Sequence, residues 1–186
     1  MSQFTKKAII ETFMELLTKR SMDKITVKDI VESCGVNRNT FYYYYKDIYD
    51  LVDDIFVMEL ERIRKLEMNH DSWYEDIHQM ALILVENKAA INHVYQSKSR
   101  DVLERYIFSL SELVIKEYIK KNELDKLASS ENVSFVCDFY RASIAGMLIN
   151  WIKEGVQTDS EEMLKKIAVV IENTMVVALK SCETFV

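Results

Sequence analysis

The sequence has no proline and only three glycines, Gly35, Gly146 and Gly155, in 186 residues. Sandwiches, barrels and α/β folds need many turns, and turns are built largely from glycine and proline. Hydrophobic residues make up 49% of the chain and charged residues 29%, which is enough apolar material for a core and too much for disorder. The composition therefore predicts an all-α fold with a few long helices.

Cysteines and long apolar runs are also scarce. Cys34, Cys137 and Cys182 are far apart, and no pair has the spacing of a metal or redox motif. We therefore expect free, buried thiols in a reducing compartment. The N-terminal MSQFTKK lacks the apolar stretch of a signal peptide, and every apolar run is far shorter than the ~20 residues that span a membrane. The sequence predicts a cytoplasmic protein that does not enter membranes.

Positive charge is concentrated at one end of the chain. Residues 1–50 carry eight Lys and Arg against seven Asp and Glu, a net charge of +1. Residues 51–186 carry sixteen against twenty-three, a net charge of −7. An acidic total argues against non-specific coating of nucleic acid. It still allows a small docking face for DNA near the N-terminus.

Apolar residues recur at helical spacing along the whole chain and predict about nine helices. In the N-terminal part, Thr26 is expected to cap a short second helix, with Asp29 completing an Asp version of the capping box. Gly35 supplies the left-handed residue that ends this helix. Asn37 is expected to cap a third helix, and Asp47 a long fourth one. The first helix is predicted over 4–21, and the fourth ends near Met68.

Five more helices are predicted in the remaining chain. The first opens at Asp71 or Ser72, and a short one lies around AAINHVYQ. The others are expected at 99–123, at 134–154 after a loop over 127–133, and from Thr158 or Asp159 to about Cys182. Gly155 is expected to end the helix at 134–154.

The first fifty residues predict a helix-turn-helix on a three-helix base. In such a motif the second helix is short, buries one face, and enters the major groove by its N-terminal end. Here that helix carries NRNTFYYYYK. Phe41 and Tyr45 are four residues apart and share a face that Ile48 continues, so we expect these three to hold the helix on its base. The outward residues are hydrogen-bond donors suited to phosphates and base edges: Arg38, Asn39, Thr40, Tyr42, Tyr43, Tyr44 and Lys46.

A competing interpretation places all four tyrosines in the core. Four consecutive residues span almost the whole circumference of a helix, so at most about two can face one core. A strand is also disfavoured, because the run is flanked by caps and has no second strand with which to pair. The tyrosine run is therefore interpreted as a helix with one buried face and one exposed face.

The segment ITVKDIVESCGVNRNTFYYYYKDIYDLV resembles the DNA-binding segment of the TetR (tetracycline-repressor) family of bacterial transcription regulators. The resemblance covers roughly residues 6–56 and extends to order, spacing and residue types. It implies DNA contacts at Thr26 on the preceding helix and at Asn37, Arg38, Asn39, Thr40, Tyr42, Tyr43 and Tyr44 on the recognition helix. Ile48 departs from the pattern, because the family usually has a phosphate-contacting lysine there. Lys46 is expected to offset that missing contact.

The C-terminal part suggests how two copies pair. FYRASIAGMLINWIKEG (139–155) resembles the subgroup that includes the dihydroxyacetone-kinase operon regulator, in which some members act as co-activators. The last two helices are apolar around more than half their circumference, so each must bury two faces. Ala142, Ser143 and Gly146 would let another helix approach closely. The apolar residues are Phe135, Val136, Phe139, Ala142, Ile144, Met147, Leu148 and Trp151, then Leu164, Ile167, Ala168, Ile171, Met175 and Ala178.

The resemblance implies a homodimer that pairs through its last two helices into a four-helix bundle. Residues 1–48 would form the helix-turn-helix domain, and 49–186 a helical domain for effector binding and dimerisation. Family habit favours a repressor that binds a palindromic operator and is released by a small-molecule effector. The alternative is a TetR-like co-activator or protein-interaction module with weak or lost sequence-specific DNA binding.

No cofactor, metal site or catalytic residue is predicted. His70, His78 and His93 lack the spacing of a helical metal pair, and no phosphate loop or nucleophile motif is present. An all-helical enzyme is therefore the weakest of the three interpretations. The residues that bind an effector are not identified by the sequence. Aromatic candidates for lining a cavity are Trp73, Tyr74, Tyr95, Tyr106, Phe108, Phe139, Tyr140 and Trp151.

Overall fold

A computed structural model describes residues 2–65, 73–156 and 160–184. These residues form nine α-helices, two short 3-10 helices (Met22–Lys24 and Leu124–Lys126) and no strand, which confirms the all-α prediction. The α-helices are α1 (Ser2–Lys19), α2 (Val27–Cys34), α3 (Arg38–Tyr44), α4 (Ile48–Arg64), α5 (Trp73–Glu86), α6 (Lys88–Tyr95), α7 (Arg100–Lys121), α8 (Ser130–Lys153) and α9 (Ser160–Glu183). The predicted caps at Asp71, Ser72, Thr158 and Asp159, the helix end at Met68, and His70 lie outside the described residues.

The chain packs as two compact units. The first contains Met1–Arg62 and Asn87–Tyr106, and the second contains Ile63–Glu86 and Ile107–Val186. In the first unit, α1 packs against both α2 and α6. Its buried stripe is Ile9, Phe13 and Leu17.

The short helix α2 forms as its caps predict. The Thr26 hydroxyl accepts a hydrogen bond from the Asp29 amide, and the Asp29 carboxylate accepts one from the Thr26 amide at 2.8 Å. Gly35 ends the helix in the left-handed region at φ 69°. Ile30 and Val31 are buried, whereas Val27 is only half-buried.

The helix α6 and the turn after it are bonded to the segment that joins α1 to α2. The distance between His93 Nδ1 and the Leu17 carbonyl oxygen is 2.6 Å. The Lys98 amide donates to the Asp23 carboxylate at 3.3 Å. Met22, in a stretch that looks polar in sequence, is buried. These contacts explain why residues 87–106 belong to the same compact unit as the N-terminal helices.

In the second unit, α8 starts earlier than predicted. The prediction of a loop over 127–133 is wrong for its last residues, because α8 begins at Ser130. The Ser129 hydroxyl caps it by accepting from the Asn132 amide at 3.4 Å. Glu183 also accepts hydrogen bonds from the Ser129 amide and the Asn132 side chain, each at 2.8 Å. Gly155, at φ 87°, follows the end of α8 as predicted.

Helices α8 and α9 each bury one face and expose the other. In α8 the predicted set divides: Val136, Ile144, Leu148 and Trp151 are buried, and Phe135, Phe139, Ala142 and Met147 are exposed. In α9 the predicted residues instead share one face, since Leu164, Ile167, Ala168, Ile171 and Met175 are buried and Ala178 is half-buried. The exposed apolar residues of α9 are Val169, Val170 and Val177. We call Phe135, Phe139, Met147, Val169, Val170 and Val177 the apolar α8–α9 face.

The second unit also contains a small, partly open cavity of about 20 Å³, which has room for about one water-sized sphere. Its lining is aliphatic and contains none of the eight aromatic candidates, because those rings pack elsewhere. Ser111 contributes a hydroxyl, which donates to the Ile107 carbonyl oxygen at 2.8 Å. In the described part of the chain, no helix is both long and apolar enough to cross a membrane.

Candidate nucleic-acid interface

The recognition helix α3 begins where its cap predicts. The Asn37 side-chain oxygen accepts a hydrogen bond from the Asn39 amide at 2.8 Å. The amides of Thr40 and Phe41 donate to the Asn37 carbonyl oxygen at 2.9 and 3.2 Å. Gly35 turns the chain two residues earlier, and α2 packs against α3. The elements of a helix-turn-helix are therefore all present in the first unit.

The buried side of α3 is anchored by two aromatic rings. Phe41 is 0% exposed and Tyr45 is 3% exposed, as predicted, and their ring centroids are 5.7 Å apart. Tyr45 is the C-cap of α3 rather than a helical residue, with extended backbone angles of φ −139° and ψ 134°. This break removes Ile48 from the helical register of Phe41. Ile48 is consequently only half-buried, and its prediction as a third anchor is wrong.

The outward side of α3 exposes most of the predicted residues. Tyr43 is 80% exposed and Tyr42 is 46% exposed. Arg38, Asn39 and Lys46 are exposed as well, whereas Thr40 and Tyr44 are half-buried. The Tyr44 ring packs edge-on against Tyr43 at 5.0 Å between centroids. The structure therefore brings the predicted set to one surface, with Thr40 and Tyr44 at its margin.

Arg38 and Tyr42 form a pair on this surface. Arg38 Nη2 donates a hydrogen bond to the Tyr42 hydroxyl oxygen at 3.1 Å. The guanidinium also lies 5.5 Å from the centroid of the Tyr42 ring. Tyr42 accepts in this contact, so its own hydroxyl proton remains available. Arg38 keeps further N–H donors, and among the described residues it has no acidic partner.

Lys46 lies beside the start of α4. Its amide donates to the Asp50 carboxylate at 2.9 Å, while the Asp50 amide donates to the Asp47 carboxylate at 2.9 Å. The predicted cap at Asp47 is thus confirmed. No ion pair joins the Lys46 ammonium to the described residues, and its exposed side chain adds an unpaired positive charge to the α3 surface.

Thr26 is exposed, but its hydroxyl is engaged. Besides accepting from the Asp29 amide, it donates to the Asp29 carboxylate at 2.7 Å. These Thr26 hydrogen bonds, aided by Arg20 at 3.2 Å, hold the pKa of Asp29 below its ordinary value. A phosphate contact at Thr26 requires the hydroxyl proton to turn away from Asp29.

Sequence reasoning missed three residues near this surface. Tyr49, in the first turn of α4, is exposed. Lys6 and Asp54 contact each other, and Asp54 accepts a hydrogen bond from the Tyr45 hydroxyl. Spacing rules find neighbours within one helix, so they do not join residues as distant in sequence as Lys6 and Asp54. The only available signal was the acidic pair Asp53 and Asp54 between the apolar residues Val52 and Ile55 of α4.

The histidines and other possible metal ligands of the described residues are not gathered into a candidate metal site. No group of three His, Cys, Asp or Glu side chains among them lies close enough to hold a metal ion. His78 stacks on Tyr74, and His93 faces the Leu17 carbonyl oxygen.

Two family models match the chain. Residues 9–55 match the model for bacterial regulatory proteins of the tetR family. Residues 71–173, more than half of the chain, match the TetR model for a transcriptional regulator C-terminal region. The first match contains α2, α3 and their caps, and the second contains most of α5 to α9.

Individual proteins agree with these models. The HTH-type dhaKLM operon transcriptional activator DhaS of Lactococcus lactis is 22% identical over 193 residues, which cover 98% of this chain and 95% of that protein. A solved structure of the dihydroxyacetone kinase operon activator DhaS has a TM-score of 0.72 at 21% identity, covering 96% of this chain and 98% of that one. A protein from Syntrophomonas wolfei assigned to the TetR family has a TM-score of 0.62 at 16% identity, covering 95% and 97%. The likeness to these two structures shows a shared fold.

The chain belongs to the TetR family of transcription regulators. It is a helix-turn-helix regulator and not an enzyme, because the family and the matched relatives are regulators.

Proposed function

We propose that this TetR-family regulator binds a palindromic DNA operator as a homodimer, with α3 of each copy in the major groove. The observation that carries the proposal is the exposed α3 surface, which presents Arg38, Asn39, Tyr42, Tyr43 and Lys46 on a helix anchored by its opposite face. Two such helices related by a two-fold axis read half-sites about one helical turn apart, ~34 Å.

The residues on this surface divide by chemistry. Arg38 is the first residue of α3, and the N-terminal end of a recognition helix is the part that reaches base edges. A guanidinium is suited to the two acceptors of guanine, and Tyr42 holds this one in place. Phenol and ammonium donors at Tyr42, Tyr43 and Lys46 suit phosphate oxygens. Asn37, Asn39, Thr40, Tyr44 and Thr26 complete the proposed contact set.

The apolar α8–α9 face supports dimerisation. Polar side chains within it already donate to carbonyl oxygens of their own helices: Ser143 to Phe139, Asn173 to Val169 and Thr174 to Val170, at 2.6 to 2.9 Å. Each of these side chains therefore keeps at least one hydrogen bond when the face is buried. Gly146, exposed on α8, adds no side chain to the face. A second copy of the same face would bury these helices in a four-helix bundle.

We propose the functional division at residue 48, with DNA binding in 1–48 and effector binding and dimerisation in 49–186. The cavity in the second unit is the candidate site for an effector. A ligand larger than one water molecule enters only if the lining side chains rearrange. Differential binding to two conformations is how an effector acts, and movement of α4 would change the separation of the two recognition helices.

The sign of regulation separates two candidate functions. Repression remains the prediction from family habit. The alternative, an activator or co-activator, is supported by the relative from Lactococcus lactis, which is named a transcriptional activator and aligns with 98% of this chain. In vitro transcription from the promoter of the regulator's own gene neighbourhood distinguishes them, because purified protein lowers the transcript level in one case and raises it in the other.

DNA binding itself is tested by gel shift on the same promoter DNA between 50 and 200 mM salt. A specific complex whose affinity falls steeply with salt is expected, since released counterions make phosphate contacts salt-dependent. A chain that binds no DNA at any salt would instead be a protein-interaction module. Sedimentation of the free protein gives its oligomeric state in the same experiment series.

A further inference from the structure

Three side chains from three elements meet behind the recognition helix. The hydroxyl of Tyr45, the C-cap of α3, donates to Asp54 Oδ2 at 2.9 Å. Lys6 Nζ, on α1, lies 2.9 Å from the same oxygen and 3.1 Å from Oδ1. The Lys6 ammonium is also 5.9 Å from the centroid of the Tyr45 ring. One carboxylate on α4 thus joins α1, α3 and α4, and we call these three side chains the Tyr45–Asp54–Lys6 cluster.

The cluster spans the short connection between α3 and α4, and this connection determines the direction of α3 relative to α4. Only residues 45–47 connect the two helices, and Tyr45 adopts an extended conformation there. Rotation about this short connection would change the orientation of every exposed α3 side chain relative to α4. The hydrogen bond from Tyr45 to Asp54 closes the connection with a second link, nine residues along the chain. Lys6 neutralises the carboxylate and ties the same point to α1.

Packing alone does not require this arrangement. Tyr45 is 3% exposed, and a phenylalanine of nearly the same shape would fill its place against Phe41. The hydroxyl instead reaches the half-buried Asp54 carboxylate, which its charge makes a stronger acceptor than a neutral group. Hydrogen bonds constrain direction, whereas apolar contacts are non-directional. The cluster therefore restricts the angle between α3 and α4, which the packing of the aromatic rings alone does not fix.

We propose that Tyr45 and Asp54 are positioning residues for DNA recognition, because their hydrogen bond fixes the orientation in which α3 is presented from α4. Lys6 supports Asp54 in this role. None of the three needs to touch DNA. The inference rests on the proposed operator binding through α3, and it adds a specific prediction about discrimination between DNA sequences.

The test compares Tyr45→Phe, Asp54→Ala and the double variant with the wild type. Each is measured on the promoter fragment and on a random-sequence fragment of equal length, and by thermal unfolding. Tyr140→Phe is the matched control, because Tyr140 is another buried phenol with one hydrogen bond, to Thr174 at 2.7 Å in the second unit. Asp54→Asn retains an acceptor for the Tyr45 hydroxyl but loses the charge that pairs with Lys6.

We expect Tyr45→Phe to weaken promoter binding on the order of tenfold and random-DNA binding by less than about twofold. Asp54→Ala should have a similar effect, and the double variant should be little worse than either single one, since both remove the same contact. Asp54→Asn should recover part of the loss. Tyr140→Phe should leave the ratio of promoter to random-DNA affinity unchanged.

A purely structural role predicts a different result. Tyr45→Phe would then lower the unfolding temperature and leave the affinity ratio of the folded protein at the wild-type value, which would overturn the inference. If Asp54→Ala does not fold, Tyr45→Phe alone decides, because it keeps the aromatic packing. Wild-type protein that fails to prefer the promoter refutes the proposed function instead, so the two failures are distinguishable.

Discussion

Two exposed helical faces of this molecule are built on opposite chemical rules. The α3 surface of the first unit presents Arg38, Tyr43 and Lys46, whose donors have no acidic partner among the described residues. The apolar α8–α9 face of the second unit is 56% exposed at Val170 and 59% exposed at Phe139. Its polar side chains, such as Ser143, already bond to their own helix. The first face keeps donors free for a partner, and the second uses donors of its polar side chains within its own helices.

This difference indicates what each face binds. Charged and polar donors exposed on a rigid helix suit a wet, anionic partner, because phosphates and base edges are acceptors. Apolar side chains among internally bonded polar groups suit a dry protein interface, because those polar groups keep a hydrogen bond when they are buried. DNA and a second copy of the chain are the partners we propose for the two faces.

The largest expected effect comes from placing a charge on the apolar face. Val170→Glu should convert the proposed dimer into a monomer, raising the dimer dissociation constant at least roughly 100-fold, because a symmetric interface buries the unpaired charge twice. Analytical ultracentrifugation measures the change. Val57→Glu, at a 53% exposed valine of α4, is the matched control and should leave the dimer intact. A monomeric wild type would contradict the assignment of this face.

A smaller effect is expected when the α3 surface loses its guanidinium. Arg38→Ala should weaken operator binding by about 1–3 kcal/mol and relax the base preference at one position. Arg38→Lys retains the charge but loses the two-pronged donor geometry, and should relax the preference too. Selection of binding sites from a random library measures both. Uniform weakening with an unchanged preferred sequence would show that Arg38 contacts phosphate.

A still smaller effect is expected from one phenol of the same surface. Tyr43→Phe should weaken operator binding by about 0.5–1.5 kcal/mol, the net value of one hydrogen bond, without altering the unfolding temperature. Tyr95→Phe, on α6, serves as a control for loss of a phenol elsewhere. A marked drop in unfolding temperature for Tyr43→Phe would mean that this exposed ring has a packing role.

The smallest expected effect is on the pH dependence of stability. It concerns two carboxylates that accept hydrogen bonds at the start of a helix, Asp29 at α2 in the first unit and Glu183 at α8 in the second. Hydrogen bonds from Thr26 lower the pKa of Asp29 below 3.8, and the Ser129 amide lowers that of Glu183 below 4.5. A lowered pKa in the folded state means that the stabilisation is present above the ordinary value and disappears as pH falls through the folded value. Thermal unfolding from pH 6 to 3 should therefore be flatter for Asp29→Asn and Glu183→Gln than for wild type. Parallel curves would contradict both contacts.

The sequence predicted local features of the first unit well, because they depend on neighbours in the chain. The cap at Thr26, the left-handed turn at Gly35 and the opposite faces of Phe41 and Tyr43 all follow from residue type and spacing within a few positions. Ile48 was misplaced because the helix breaks at Tyr45, and side-chain periodicity extends only as far as the helix.

Contacts between distant parts of the chain were predicted less well from the sequence. The exposed α9 residues Val169, Val170 and Val177 were not identified, since two apolar stripes on one helix do not reveal which one a neighbour covers. The contacts of Lys6 with Asp54 and of His93 with Leu17 join residues 48 and 76 positions apart. No local rule specifies such pairs. The proposed DNA contacts remain predictions, because they need the partner itself.

The contact between His93 and the Leu17 carbonyl oxygen bears on whether the helix-turn-helix can be transferred to another protein without α6. A fragment that stops at Arg62 retains α1 to most of α4 but loses α6, which packs on α1 and faces its last carbonyl groups. Such a fragment lacks part of its own compact unit. We therefore expect a chimeric regulator that borrows this helix-turn-helix to need residues 87–106 as well, although the segment between them belongs to the other unit. In this chain the compact unit that contains the helix-turn-helix is not formed by N-terminal residues alone.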